Sequence, residues 1–304
     1  DAGGPLLPRR DFLAGAAAVA AAAVVGGAVP ARALGGGWSG GARWSQVAHD
    51  LSASRVSARG PEGLDIRWRR PIAGGLTGPP LIVGRHVVAA SLGGEIAMFD
   101  LADGRERWRV ELGRASYPGA EGPVELGFFG GCAVEGGRVV AASDRLHCLR
   151  LSDGSVLWQG EPLDYFWGAP VIACGLVLAG SGAGTEATAT RGRVSAYRLA
   201  DGVQVWSTPM VPAGANGGGV LSPVSVDPAR RTLFAGTGAP YIPQAGANPG
   251  TSSVVELSLR DGRLLWSDQV HPADTRGFDV NSAPLLTPRV IAVTAKDGVW
   301  AWDR

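Results

Sequence analysis

Three charged side chains that lie between apolar stretches of the chain could do chemistry: Glu186, Asp279 and Lys296. A carboxylate can act as a general base or bind a hard cation, and a lysine can stabilise developing negative charge. Each residue also has a structural interpretation. Glu186 lies in a polar, threonine-rich segment, Asp279 could cap a turn, and Lys296 begins a Lys-Asp-Gly hairpin turn. Choosing between these interpretations requires the elements that position the three residues.

A motif that recurs four times along the chain defines these elements: Asp-Gly, three residues, then Trp. The four copies span residues 103–108, 153–158, 201–206 and 261–266. Their glycines are 50, 48 and 60 residues apart, and an apolar stretch precedes each copy. A period of this length indicates one structural unit used repeatedly.

Each repeat predicts four short strands. A Pro-containing step begins the first strand, the second is apolar throughout, and the Asp-Gly turn leads from the third to the last, which carries the Trp. Four antiparallel strands per repeat are typical of a β-propeller blade, and a Trp at a fixed place can fill the gap between neighbouring blades. The sequence therefore predicts an all-β fold over residues 34–304, a β-propeller of four-stranded antiparallel blades.

The length of the repeat also predicts a blade number. At about 50 residues per blade, residues 34–304 supply roughly five blades, fewer than a propeller of this repeat type usually needs to close. The last repeat stops just before its next Asp-Gly turn, and the chain begins with Asp. We therefore expect an incomplete seven- or eight-bladed propeller, truncated at its C-terminus.

Residues 1–33 have the pattern of a secretory signal peptide: a basic start, an apolar middle and an Ala-x-Ala end. Arg9 and Arg10 before Phe-Leu resemble a twin-arginine signal. A membrane anchor is the alternative, but the apolar stretch 14–29 is short for a membrane span. We expect a bacterial protein in the periplasm or outside the cell, with no stable membrane span after signal removal.

The composition argues against nucleic acid as a partner and allows two interpretations of the cysteines. The formal net charge is +1, so no electrostatic footprint indicates nucleic acid. Of the three cysteines, Cys132 and Cys148 lie on consecutive predicted strands and could pair in an oxidising compartment. The favoured interpretation is that these two and Cys174 are small buried hydrophobic residues.

Over about residues 40–304, the Asp-Gly-x-x-x-Trp blade resembles the repeat of quinoproteins, the propellers that bind pyrroloquinoline quinone (PQQ). The segments 44–55 and 222–241 resemble the opening and middle segments of the polyvinyl-alcohol dehydrogenase and quinoprotein alcohol dehydrogenase branch. The resemblance implies an exported oxidoreductase that depends on PQQ and calcium. It would oxidise a small-molecule, secondary or polymeric alcohol and pass electrons to an acceptor such as a cytochrome c.

The resemblance also implies roles for single residues. Gly184, Thr185 and Glu186 match the family segment that contributes to the PQQ site, in which the Glu binds the calcium ion. Asp279, in a Phe-Asp step, matches the catalytic general base beside the cation. Lys296, in Lys-Asp-Gly before Trp-Asp-Arg, matches the catalytic residue near the quinone carbonyl.

Two positions depart from the family pattern. Ala239 stands where the family has an Asn that ligates the cation, and Leu221 where it has a stacking Trp. Because Ca²⁺ prefers six to eight oxygen ligands, loss of the Asn carbonyl weakens the site. The alternative function is therefore a non-catalytic PQQ-like propeller that serves as a binding or outer-membrane assembly scaffold. Glu186, Asp279 and Lys296 favour the enzyme, whereas the two departures favour the scaffold.

Overall fold

The structure is a computed structural model that describes residues 43–47, 50–54, 65–119, 122–182, 191–240, 248–272 and 277–304. All of them belong to one compact unit, Gly40–Arg304. The predicted signal peptide and the predicted site residues Gly184, Thr185 and Glu186 lie outside the described residues. The described residues form strands and turns without a helix, and hence without a helix that could span a membrane.

The first sheet has five antiparallel strands in chain order: β1 (Arg43–Trp44), β2 (Leu81–Val83), β3 (His86–Ala90), β4 (Glu95–Asp100) and β5 (Glu106–Glu111). A separate hairpin follows, formed by β6 (Ala115–Gly119) and β7 (Gly122–Leu126). This hairpin is an addition to the repeat that the motif spacing does not predict.

Three four-stranded antiparallel sheets follow, as the repeat predicts. The second sheet consists of β8 (Cys132–Glu135), β9 (Arg138–Ala142), β10 (Leu146–Arg150) and β11 (Val156–Gln159). The third consists of β12 (Val171–Ala173), β13 (Leu176–Ser181), β14 (Arg193–Arg198) and β15 (Gln204–Pro209). The fourth consists of β16 (Ser225–Asp227), β17 (Thr232–Gly236), β18 (Ser253–Ser258) and β19 (Leu264–Gln269). The fifth sheet has three strands, β20 (Leu285–Leu286), β21 (Val290–Ala295) and β22 (Gly298–Asp303).

The burial of the strands explains their sequence pattern. The second and third strands of the middle sheets are buried over most of their length, as in β9, β13 and β17. Burial on both faces favours continuous apolar stretches instead of alternating ones. The last strand of each sheet is more exposed, as Val156, Val205 and Leu264 show.

Four tryptophans make the same two contacts with the next repeat, and we call each such contact pair a tryptophan joint. Three of them join successive sheets, whereas Trp68 lies before β2, outside the strands. Each indole Nε1 donates to the carbonyl of a Leu in the next repeat: Trp68 to Leu101 (2.9 Å), Trp108 to Leu151 (2.8 Å), Trp158 to Leu199 (3.0 Å) and Trp206 to Leu259 (3.1 Å). Each ring also covers the Asp-Gly glycine of that next repeat: Gly104, Gly154, Gly202 and Gly262 respectively. The prediction that the motif tryptophans fill the gaps between sheets is confirmed for Trp108, Trp158 and Trp206. Trp266 instead packs against Trp302 of β22, with ring centroids 5.9 Å apart.

The glycine of each joint is required for two reasons. Its φ angle lies between 68° and 75°, which disfavours residues with a side chain. A Cβ atom there would also approach the covering indole ring to less than 3.0 Å. The second reason was not predicted. The joint at Trp68 was not predicted either, because no Asp-Gly step precedes this residue.

The burial of the cysteines was predicted correctly for two of the three residues. All three are free thiols; Cys132 and Cys148 are buried, and β9 lies between their strands, so these strands are not consecutive. Burial raises the pKa of Cys132 to about 12 and that of Cys148 to about 11, so both stay protonated. The expectation that Cys174 is buried was wrong, because this residue lies exposed in the turn between β12 and β13 with a φ of 53°.

Candidate functional site

Backbone pairing brings Asp279 and Lys296 together. An isolated antiparallel bridge joins Val280 to Ala295, at the end of β21. In an antiparallel pair, the residue before one partner lies beside the residue after the other. Asp279 precedes Val280 and Lys296 follows Ala295, so their side chains start from neighbouring backbone positions.

The two side chains form an ion pair. Lys296 Nζ lies 3.0 Å from Asp279 Oδ2, and it also donates to the carbonyl of Gly277. The backbone N–H of Ala239 donates to Asp279 Oδ1 at 2.7 Å. The Asp279 side chain is 14% exposed and that of Lys296 is 37% exposed. The carboxylate is therefore fixed through both oxygens, while the Lys296 side chain remains partly exposed to solvent.

A third segment, the end of β17 and the residues after it, completes this arrangement. A Cβ atom on Gly238 would lie 3.0 Å from Asp279 Oδ1 and 3.2 Å from the carbonyl oxygen of Gly219. The absence of a side chain at Gly238 therefore lets the carboxylate reach the N–H of Ala239. The sequence analysis did not assign this function to Gly238, although the residue belongs to the quoted middle segment 222–241.

A second pair lies next to the first. His271 Nε2 lies 3.1 Å from Asp297 Oδ1, and its ring centroid is 5.0 Å from that of Phe278. Asp297 and Phe278 are the chain neighbours of Lys296 and Asp279. Burial raises the pKa of Asp297, but the contact with His271 and other hydrogen bonds outweigh it, and the net pKa is below the usual value. Two acid–base pairs thus lie side by side.

Of the other positions that the sequence analysis singled out for the site, the structure describes two and leaves three outside the described residues. Ala239 is buried and contributes its backbone N–H, whereas Leu221 is half-buried in the link before β16. Glu186 lies outside the described residues, as do Gly184 and Thr185. The structure brings Asp279, Lys296 and Ala239 together, and the predicted roles of Gly184, Thr185 and Glu186 stay predictions.

The described residues fit a quinone carbonyl better than they fit a calcium ion. A partly exposed ammonium beside an ionisable carboxylate can stabilise an anionic oxygen and hold a proton. For calcium, the described residues around this pair offer the Asp279 carboxylate, whose two oxygens already have partners. No group of three His, Cys, Asp or Glu side chains that could hold a metal occurs in the described part of the chain. A calcium site here would need further ligands, such as Glu186.

The sequence belongs to a known family. A family described as outer membrane protein assembly factor BamB matches residues 52–121 and 92–304. The chain is therefore a member of this PQQ-like repeat family.

Individual relatives include both enzymes and assembly factors. A quinohemoprotein alcohol dehydrogenase of Pseudomonas putida, ADH IIB, is 25% identical over 74% of this chain and 38% of its own length. The outer membrane protein assembly factor BamB of Escherichia coli is 26% identical over 74% of this chain and 65% of its own length. The chain thus spans less than two thirds of the length of either relative.

Solved structures confirm the predicted fold. Quinohemoprotein alcohol dehydrogenase ADHIIG of Pseudomonas putida matches 86% of this chain and 46% of that structure, with a TM-score of 0.75 and 20% identity. A europium-containing methanol dehydrogenase matches 87% of this chain and 56% of that structure, with a TM-score of 0.73 and 18% identity. At these identities the likeness shows the β-propeller fold alone.

Proposed function

We propose that the protein oxidises an alcohol with PQQ as its electron acceptor, at the pair formed by Asp279 and Lys296. The observation that carries this proposal is the distance of 3.0 Å between Asp279 Oδ2 and Lys296 Nζ. A base for the alcohol proton and a cation for the quinone oxygen must be neighbours if they act on one substrate–cofactor pair. Sequence resemblance assigned these two roles to residues 17 positions apart, and the two residues are in contact.

The two carboxylate oxygens of Asp279 would have different roles, because their contacts differ. Oδ1 accepts the Ala239 N–H, which fixes the orientation of the carboxylate. Oδ2 faces Lys296 and is the oxygen that would hold the alcohol proton. The Lys296 ammonium would stabilise negative charge on the neighbouring oxygen of the cofactor. PQQ, when bound, supplies the two-electron acceptor that the side chains lack.

The finer parts of this proposal depend on sequence features. Gly184, Thr185 and Glu186 would contribute to the PQQ site, and Glu186 with Asp279 would ligate calcium. Resemblance to the polyvinyl-alcohol dehydrogenase branch supports a secondary or polymeric alcohol as substrate and a final electron acceptor such as a cytochrome c. The Arg9-Arg10 pattern supports export by the twin-arginine route to the periplasm or beyond.

A second candidate function has its own support. Ala239 lacks the side-chain amide oxygen that an Asn would offer, and both oxygens of Asp279 already have partners inside the protein. An ion pair closed in this way also suits a propeller that binds no cofactor. The resemblance to an outer membrane assembly factor supports a scaffold function for such a propeller.

Reconstitution of the purified full-length protein with PQQ and calcium tests the first function against the second. We expect quinone absorbance to remain with the protein and an artificial acceptor to be reduced when alcohol is added. Asp279→Asn should keep quinone binding and lower the rate by about a hundredfold or more, because the amide cannot hold the proton.

Asp201→Asn is the matched control, since Asp201 also contacts one backbone N–H and one cation, those of Val203 and Arg198. This variant should keep full activity. Ala239→Asn should tighten quinone and calcium binding by restoring a carbonyl ligand. If neither the wild-type protein nor Ala239→Asn retains quinone, the enzyme proposal fails and the scaffold function is favoured.

A further inference from the structure

The end of the fourth sheet opposite to Asp279 and Lys296 carries a concave basic surface. Strand β18 begins beside Thr237, near the candidate site, and ends at Ser258. There, four exposed arginines line an open concavity of about 510 Å³ between the turn after β16 and the Asp-Gly turn after β18: Arg230, Arg231, Arg260 and Arg263. We call these four residues the arginine surface.

The Asp-Gly turns of the first three sheets neutralise their arginines. In each of them a nearby aspartate forms ion pairs with the arginines of the turn: Arg105 and Arg107 with Asp100, Arg150 with Asp153, and Arg198 with Asp201. In the fourth sheet Ser258 occupies the position of Arg150 and Arg198, and its hydroxyl is hydrogen-bonded to Asp261. Arg263 occupies the position of Arg105 in the first sheet, but Ser258 stands where Arg105 has its partner Asp100.

The arginine surface therefore holds more positive than negative charge: Asp261, which interacts electrostatically with Arg260 and Arg263, offsets only part of it. None of the ion pairs among the described residues includes Arg231, Arg260 or Arg263. Arg230 lies 3.9 Å from Asp227, whose carboxylate also binds Arg304. Like charges held together in one concavity repel each other, so an anionic occupant would be stabilised there.

We propose that the arginine surface is the docking site for an acidic segment of another protein, a segment that presents several carboxylates. Guanidinium groups bind carboxylates through two parallel hydrogen bonds, which a cluster of arginines can repeat along a segment. Leu265 lines the same concavity and is 40% exposed. It would give that segment an apolar contact.

The shape and surroundings of the surface favour a protein segment over a membrane or a nucleic acid. The arginine surface is concave and confined to one β-sheet. It therefore suits a protruding peptide segment better than a flat membrane surface. In the second and third sheets the equivalent turns set Asp153 and Asp201 against one paired arginine each, so the excess of arginines does not extend over several sheets as a polyanion of that size would require. The formal net charge of +1 adds no attraction at long range.

Fluorescence anisotropy of a labelled octaglutamate peptide, titrated with the full-length protein, tests the proposal. We expect binding that weakens as the salt concentration rises from about 50 to 300 mM, and no binding of an octaglutamine peptide. The double variant Arg260→Gln/Arg263→Gln should bind about tenfold more weakly, because each exposed charge pair contributes a factor of a few. Its thermal unfolding should match that of the wild type, which shows that the variant folds.

The matched control is Arg150→Gln/Arg198→Gln, which removes the same charge from equivalent turns in which the arginines are paired. It should change the affinity less than twofold. Equal weakening by the two double variants would show that net charge alone drives binding, and would overturn the proposal. Binding to vesicles of phosphatidylglycerol and phosphatidylcholine that needs Arg260 and Arg263, with no peptide binding, would also overturn it in favour of a membrane.

Discussion

The tryptophan joints and the Asp279–Lys296 site are built in opposite ways. Every joint uses the same residue types and a hydrogen bond of 2.8 to 3.1 Å. The site takes its residues from three separate segments, Gly238–Ala239 after β17, Gly277–Asp279 before β20 and Lys296 after β21. Regular contacts therefore hold successive sheets together, and irregular links between strands supply the candidate chemistry. The difference predicts that stability and function respond to different substitutions.

Loss of a joint should have the largest effect on stability. Trp206 is 8% exposed, and Trp206→Ala should lower the free energy of unfolding by about 4 kcal/mol, through the cavity and the lost indole hydrogen bond. Val205→Ala on the same strand, at a side chain that is 46% exposed, should cost less than about 0.5 kcal/mol. Urea denaturation of both variants checks this. Equal losses would mean that the joint is not a special contact.

The glycine of a joint should be nearly as sensitive. Gly202 has a φ of 75°, and an added Cβ would collide with the ring of Trp158, so Gly202→Ala should cost about 3 kcal/mol. Gly175 has nearly the same φ of 76° but open space around it. Gly175→Ala should therefore cost only about 1 kcal/mol. The difference between these two variants in thermal unfolding measures the collision alone, and a difference near zero would contradict the proposed packing.

A buried histidine should make the repeated part of the molecule sensitive to pH. Burial lowers the pKa of His147 to about 4, while nearby Asp144 raises it and Arg145 lowers it. The unfolded chain binds this proton near pH 6.5, so the stabilisation is complete above that pH and is lost as the pH falls toward 4. The loss between pH 7.5 and 4.5 should be about 2.5 kcal/mol. His147→Gln should show a shallower fall in urea unfolding over this range; an unchanged pH dependence would refute the assignment.

The site should matter least for stability. Lys296 is 37% exposed, so its ion pair with Asp279 contributes little, and the amide oxygen of an Asn can still accept the Ala239 N–H. Asp279→Asn should lower the free energy of unfolding by about 1 kcal/mol or less. Denaturation beside the Asp201→Asn control measures this. A loss above about 3 kcal/mol would make the pair a structural element and favour the scaffold function.

The joints were largely predictable from sequence and the site only in part. Asp-Gly-x-x-x-Trp repeats its contacts, so its spacing alone indicates the packing, whereas Trp68 lacks the preceding Asp-Gly and gave no signal. Resemblance pointed to Asp279 and Lys296, but their contact depends on the Val280–Ala295 bridge, and the pattern of residues does not specify that bridge. The donor at Ala239 is a backbone N–H, which every residue except proline carries, so no residue type could reveal it.

Each joint takes its Trp from one repeat and its Gly from the next, so the packing unit is offset from the covalent repeat. A chain cut in the link at 212–215 would leave Trp206 on one piece and Gly262 on the other. Each piece would then carry one half of this tryptophan joint, together with the apolar residues around it. Two such pieces should recognise each other when mixed, and this makes the link between β15 and β16 a natural place to split the protein for a complementation assay.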